Sequence, residues 1–468
     1  MQVKALTWKL VILAGVTLLL LWVLMRIGWL VDERQDRQRG AEAGVAAAQA
    51  GPQVMLGPVA QRSCTEEWTR VTGSGKDQTR TKERRFFVLT AMPAELAVDG
   101  ALKQEPRYRG LFKINTYAAK VGLQARWASL AALTPKAEHE GALSCEDPRV
   151  FIAVSDARGL RAVTLKWGDA PLTVEPGTRH DSYPNGLHAD LPGQPLDQPL
   201  ALSVAIDLIG MTDFGVVPAA SATQVKLRSD WPHPSFGGRF LPVSSEVRAD
   251  GFEASWQVSE LATTALKDVA DGRALPGIDR DPELAEYGVR PPRETPPTAR
   301  ITDTLAFSMI DPVNPYVMSD RAIKYGLMFI VLTFVSVGLL ELFVGRRVHP
   351  VQYLLVGLAM TLFFLLLLGL SEHLSFALSY GIAAAAAIGL LTCYGAAMLG
   401  TLRRGLGFGA LVGTLYGALF VLLNLEKAAL LVGSLLLFAV LAAIMAATRR
   451  FDWYRLGGRM LDTAGESS

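Results

Sequence analysis

The chain has 468 residues, 50% of them hydrophobic, a mean hydropathy of +0.26 and a formal net charge of +2. That charge offers no electrostatic footprint for nucleic acid. The apolar residues cluster in runs of membrane-spanning length, which excludes a wholly water-soluble globule.

Leu10 to Val31 is the first such run. A span needs about 20 apolar residues to cross roughly 30 Å of hydrocarbon, and this one qualifies if Arg26 snorkels to the headgroups. The small-residue run Ala46 Ala47 Ala48 lies too far beyond the apolar core for a signal-peptide cleavage site, so an uncleaved anchor is expected. Asp32 to Gln49 is charged, alanine-rich and free of proline. It predicts a continuation of the first helix until Gly51 Pro52 stops it.

The next stretch reads as β. Val121, Leu123, Ala125 and Trp127, and again Leu200, Leu202, Val204, Ile206 and Leu208, alternate with a period of two that turns one face to a core. Further predicted strands are Arg85 to Thr90, Val150 to Ser155, Arg161 to Trp167, Leu172 to Val174, Thr223 to Trp231 and Thr298 to Ile310. Asp250 Gly251, between Ser245 to Ala249 and Phe252 to Val258, is the strongest short hairpin signal. Many short strands with turns between them argue for a mainly antiparallel sandwich or a related architecture. Ser259 to Leu275 shows helical spacing instead, and the Pro-rich stretch from Pro276 to Pro297 predicts a loop.

Five more spans follow: Tyr325 to Val344, Val351 to Leu370, Phe376 to Leu399, Leu406 to Leu425 and Ala428 to Ala447. Orientation comes from the cations, because short Lys- and Arg-rich loops stay in the cytoplasm. Lys4 and Lys9, then Arg346 and Arg347, then Arg403 and Arg404, then Arg449, Arg450, Arg455 and Arg459 make every second junction basic. The junctions at Ser371 Glu372 His373 and Leu425 Glu426 Lys427 carry no such excess. The reading is six transmembrane helices, one N-terminal and five C-terminal, with both termini cytoplasmic and a large periplasmic domain. Residues 1–31 hold the cytoplasmic end and first span, and 32–324 the periplasmic β-rich domain with its helical lead-in and its 276–297 loop. Residues 325–447 form the five-helix bundle, and 448–468 a cytoplasmic tail.

Chemistry is sparse. No aspartate lies between Arg321 and Phe451, which excludes an aspartyl intramembrane protease. His349 and His373 sit at loop edges, where no buried Ser and His pair forms. His139, His180, His188 and His233 lack the close spacing of a zinc site. No cofactor or catalytic set is expected. Glu341 is the ionisable residue within a span, and a site there is a functional hypothesis by default. Pairing with Arg346, Arg347 or His349 at the cytoplasmic edge is the expected arrangement, and proton or ion coupling the alternative. Asp156 and Arg158 read as a charge pair closing a turn, with an anion site as the alternative. The run Trp231, Pro232, His233, Pro234, Ser235, Phe236 reads as a rigid turn docked on the core, or else as an exposed recognition loop.

Gly405, Gly409, Gly413 and Gly417 line one helix face, and Gly381, Ala385 and Gly389 make a similar stripe one span earlier. Such stripes let backbones approach closely, so the two helices are expected to pack together, a homodimer contact being the alternative. Cys64 and Cys145 are the cysteines of the exported region and are expected to form a disulfide, since the periplasm is oxidising. Cys393 lies within a span.

Several local motifs carry a family resemblance: VSDARG at Val154 to Gly159, VEPGT at Val174 to Thr178, SDWPHPSFGGRFLP at Ser229 to Pro242, SDRAIKYG at Ser319 to Gly326, HPVQYLLVGL at His349 to Leu358 and LLLLGLSEH at Leu365 to His373. On these residues the chain resembles the CreD family of bacterial inner-membrane proteins over nearly its whole length. The resemblance implies an inner-membrane location, production under a two-component system and a part in envelope integrity or envelope stress, and it implies no reaction. The expectation is a non-enzymatic protein whose partners are the bilayer and an envelope component or a protein. A transport or lipid-handling module is the first alternative and a membrane-anchored periplasmic enzyme the second.

Overall fold

The computed structural model describes residues 2–72, 79–275, 300–311, 314–344, 348–425 and 429–449. Arg346 and Arg347, the 276–297 loop, Glu426 and Lys427, and Arg450, Arg455 and Arg459 of the tail lie outside these described residues. Two compact units divide the chain, Met1–Arg37 with Val313–Ser468, and Gln38–Pro312.

The second unit is built on two sheets. One has eight strands in the order Ala170–Leu172, Leu160–Trp167, Leu200–Met211, Thr116–Trp127, Glu95–Gln104, Ala222–Ser229, Gly251–Ser259 and Ser244–Arg248. The other has nine, with Gln53–Thr72 at its centre. Most ladders are antiparallel. The parallel ones join Glu95–Gln104 to Ala222–Ser229 and the start of Gln53–Thr72 to Asp213–Val216. The alternation predicted around Val121 and Val204 is realised, since Val121, Leu123, Trp127, Val204 and Ile206 are buried while Lys120, Gln124 and Ser203 are exposed. These side chains meet Ile152, Phe214 and Phe307 of the other sheet in one apolar cluster. Each large side chain removed from water there contributes about 1.5 to 3 kcal/mol before conformational entropy is counted. The Asp250 Gly251 signal makes the expected hairpin, with Arg248 opposite Gly251.

Two expectations are corrected. The helix read over Ser259 to Leu275 shrinks to a 3-10 turn at Glu260–Ala262 and one short helix at Ala265–Ala270. Thr263 and Thr264 spend their hydroxyls on the buried Asp303 carboxylate, which diverts the local backbone from a continuous helix. The strand read over Thr298 to Ile310 is confined, among the described residues, to Leu305–Met309.

Taking the long helices in order, α1 is Gln2–Ala48, α2 the short Ala265–Ala270, α3 Pro315–Val344, α4 Pro350–Ser371, α5 Phe376–Leu399, α6 Leu402–Asn424 and α7 Ala429–Thr448. α1, α3, α4, α5 and α6 are long and apolar enough to cross a bilayer, and α7 supplies a shorter described apolar run, Leu431–Ala446. With 47 residues α1 is about 70 Å long at 1.5 Å per residue, more than twice the hydrocarbon thickness. Its last turns, at Ala41 and Val45, pack on Ile114 and Met211 of the sheet unit. α3 starts ten residues ahead of the apolar run at Tyr325, because Asn314 caps it through the Tyr316 amide (3.0 Å) and Pro315 suits the first helical turn.

Candidate functional site

The Gln53–Thr72 strand is buried as far as Gln61 and then leaves the core. Beyond that point Thr79–Ala91 pairs with it from Ala60↔Ala91 out to Thr72↔Thr79, and Gly141–Cys145 flanks it on the other edge. The result is a three-stranded arm. At its base Cys64 and Cys145 are register partners joined by a disulfide.

The arm has two unlike faces. On one, the segment before Gly141 is fastened down. Buried Glu66 accepts the amides of Glu138 (2.7 Å) and His139 (2.8 Å), His139 stacks on Trp68 with centroids 4.0 Å apart, and Arg85 pairs with Glu138. The His139 amide bond foremost holds the Glu66 carboxyl below the ordinary carboxylate range. The opposite face is open. Phe86 is 72% exposed, Val71 and Val88 are about half exposed, and Arg84 lies 5.5 Å from the Phe86 ring while bonding Glu67 through Nε.

The Trp231 to Phe236 run is docked through Trp231 and Phe236, as expected of a rigid turn, with His233 exposed between them. Trp231 is buried and donates its indole N–H to the His233 carbonyl (2.7 Å), while Pro234–Gly238 forms a strand on Leu305–Met309. Phe236 meets Phe252 and Trp256 edge-on. Pro232 and Ser235 belong to the same docked run.

Asp156 and Arg158 do close the turn into Leu160–Trp167. Asp156 caps it through the Arg158 amide (3.1 Å) and pairs with the Arg158 guanidinium (2.6 Å), which holds the Asp156 carboxyl below its usual range. The same two residues also tie the end of α1, because Arg158 bonds the Ala47 carbonyl and Asp156 accepts the Gly51 amide (3.1 Å). A helix end leaves carbonyls without intrahelical donors, and a guanidinium is a suitable replacement.

In the membrane unit Glu341 takes partners other than His349, while Arg346 and Arg347 lie outside the described residues. Its carboxylate takes the Lys9 ammonium of α1 at 2.5 and 2.7 Å and the Tyr353 hydroxyl of α4 at 3.0 Å. His349 instead caps α4, its Nδ1 accepting the Val351 amide and its own amide bonding Gln352. A second ion pair, Arg34 with Glu372 at 3.2 Å, lies about 37 Å further along α1 at 1.5 Å per residue. Between the two pairs, Gly326 and Gly357 seat Leu24 and Leu20 of α1. Sequence reading missed these glycines, although both fall inside family motifs.

The glycine stripes are only partly used. A Cβ at Gly405 would come within 2.6 Å of the Ala396 backbone, and one at Gly409 would overlap the Thr392 hydroxyl, so α5 and α6 do approach closely there. Gly413 would meet only Ile388 at an ordinary 3.7 Å, and a Cβ at Gly417, Gly381 or Gly389 would meet nothing. Ala385, Gly381 and Gly389 lie on the exposed side of α5, so the expected stripe-to-stripe packing is corrected. The close glycine contacts join Gly405 and Gly409 of α6 to Ala396 and Thr392 near the α5 C-terminus, while nearer the α5 N-terminus Tyr380 donates to the Tyr416 carbonyl (2.7 Å) and meets Phe420.

Comparison with known proteins agrees with the helix pattern. The family described as "Inner membrane protein CreD" matches residues 5–454. The inner membrane protein CreD of Escherichia coli (strain K12) is 33% identical over 450 residues, which cover 96% of this chain and 93% of that protein. Solved structures of an M1 zinc metallopeptidase from Deinococcus radiodurans, one of them a mutant bound to a peptide substrate, overlap 36% of this chain and 38% of theirs. They share 9% identity at TM-scores of 0.21 and 0.20, a level from which no common fold follows. Matched over nearly its whole length by family and relative alike, with the motifs placed at the caps and helix contacts above, this chain belongs to the CreD family of inner membrane proteins.

Proposed function

We propose that this inner membrane protein contributes to envelope integrity without catalysing a reaction, and that its sheet unit binds or senses an envelope component on the periplasmic side. The stapled arm carries this reading. An exposed phenylalanine on a three-stranded arm braced by a disulfide, an ion pair and a ring stack presents a preorganised surface, and preorganisation lowers the cost of binding. The periplasmic side and cytoplasmic termini are supported by the alternation of basic junctions and by a disulfide suited to an oxidising compartment.

The non-enzymatic reading is supported by the use made of the histidines. His188 bonds the Gly177 carbonyl, His180 accepts the Ser182 amide, and His139 stacks on Trp68.

In cells, a photo-reactive phenylalanine analogue at position 86 is expected to crosslink to an envelope component, and one at Phe87, on the covered face, is not. Failure of the position 86 probe to give any adduct beyond the chain itself would overturn the binding reading. A lipid-handling reading draws on one further observation, an apolar groove of about 460 Å³ between α4 and α5 lined by Phe363, Leu366, Ala383 and Leu390, of a kind that accepts an acyl chain.

A further inference from the structure

We propose that the open face of the arm is a docking surface for an anionic lipid headgroup layer, an inference that rests on the binding role just proposed and names its partner. The face alternates along one strand. Arg80, Lys82, Arg84, Phe86 and Val88 all point to it from Thr79–Ala91, because side chains two residues apart share a side of a sheet. Val71 joins them as the register partner of Arg80.

Charge and apolar area are combined there in a pattern that suits a bilayer surface. Arg84 is neutralised by Glu67, but Arg80 and Lys82 have no carboxylate partner among the described residues. Both lie on the outer half of the arm, past the point where Gly141–Cys145 stops flanking it. Phe86, Val71 and Val88 expose apolar surface on the same side. Cations attract an anionic leaflet, and exposed aromatic and aliphatic groups gain by entering its interfacial zone. A soluble anionic polymer would use the cations and leave the two valines wet. An apolar protein partner would use Phe86 and the valines and leave Arg80 and Lys82 uncompensated.

The stapling explains why such a face stays open. Ion pairs and the His139 stack occupy the opposite side, so the hairpin has no internal partner to collapse on.

The test uses the full chain in nanodiscs of phosphatidylcholine, alone or mixed with phosphatidylglycerol, where both leaflets are accessible whatever the topology in cells. Cys393→Ala removes the free thiol, and Phe86→Cys carries an environment-sensitive fluorophore. Vesicles of the same two compositions are then added. The expected result is a blue shift, with quenching by headgroup-labelled lipid, that appears with phosphatidylglycerol and is reversed by salt. Arg80→Gln with Lys82→Gln should weaken vesicle binding by roughly 25-fold, about fivefold for each cation.

Equal spectra in both lipids would overturn the proposal, as would a response to added polyphosphate without any to vesicles. An unshifted probe in lipid, combined with a crosslink to a protein in cells, would overturn the lipid partner and leave the binding role standing. The same label at Thr65, across the ladder from Phe86, reports whether the arm is folded in each variant.

Discussion

Cys64 and Cys145 are direct cross-strand partners at the point where the Gln53–Thr72 strand leaves the core, 81 residues apart in the chain. The bridge therefore fixes the root of the arm instead of cross-linking the core. Thiol labelling of denatured, unreduced protein should modify Cys393 alone, and labelling of Cys64 and Cys145 would show the bridge to be absent. Cys64→Ser should destabilise the sheet unit by about 2 to 5 kcal/mol, most visibly as faster amide exchange along the arm.

Lys9 and Glu341 bind each other across α1 and α3 with both side chains mostly buried. Removing one partner leaves an uncompensated charge near the bilayer, at a cost of about 2 to 3 kcal/mol. Lys9→Met and Glu341→Gln are each expected to lower the detergent melting temperature, and the double variant by less than the sum. Strict additivity would show that the pair is not formed.

Gly409→Leu should disrupt α5–α6 packing and reduce membrane accumulation, because a side chain there meets Thr392 with no room to turn. Gly417→Leu should be tolerated within about 0.5 kcal/mol, since its position opens outward. Equal damage from both would point to a contact outside the protomer.

His180 responds to acid with a defined sign. Burial pushes its imidazole below the ordinary value, so the folded unit binds fewer protons than the unfolded chain in that range. Stability is then complete above the unfolded value of about 6.5 and falls as pH drops through it. A His180→Phe variant should flatten the loss between about pH 7 and pH 5 in thermal melts, provided the ring still packs on Tyr183 and Phe151. An unchanged slope would exclude His180 as its source.

Reporter fusions after Arg404 or at the C-terminus are expected to report cytoplasm, and one inserted at Gly288 to report periplasm. A periplasmic C-terminus would contradict the orientation read from the basic junctions.

The spans, the sheet character, the Asp250 Gly251 hairpin and the Cys64 and Cys145 pairing were all legible from the chain alone. Each rests on local information: the length of an apolar run, an alternation of two, a turn dipeptide, or two cysteines with no rival in their region. Family motifs located Asp156, Arg158 and Gly326, but gave no sign that the first two hold the end of α1 or that the third seats Leu24.

Only the tertiary structure decided the rest. Glu341 had cations close in sequence, yet its partner lies 332 residues away, because α1 lies against α3 and brings Lys9 within reach. The glycine periodicity showed that α6 has a face of small residues, but which part of that face meets α5 depends on where two helices cross, and a crossing holds backbones close over only part of their length. The arm was invisible for the same reason. Its third strand comes from residues 141–145, and the exposure of Phe86 follows from what lies on the other side of the ladder, a long-range pairing that periodicity along one strand does not encode.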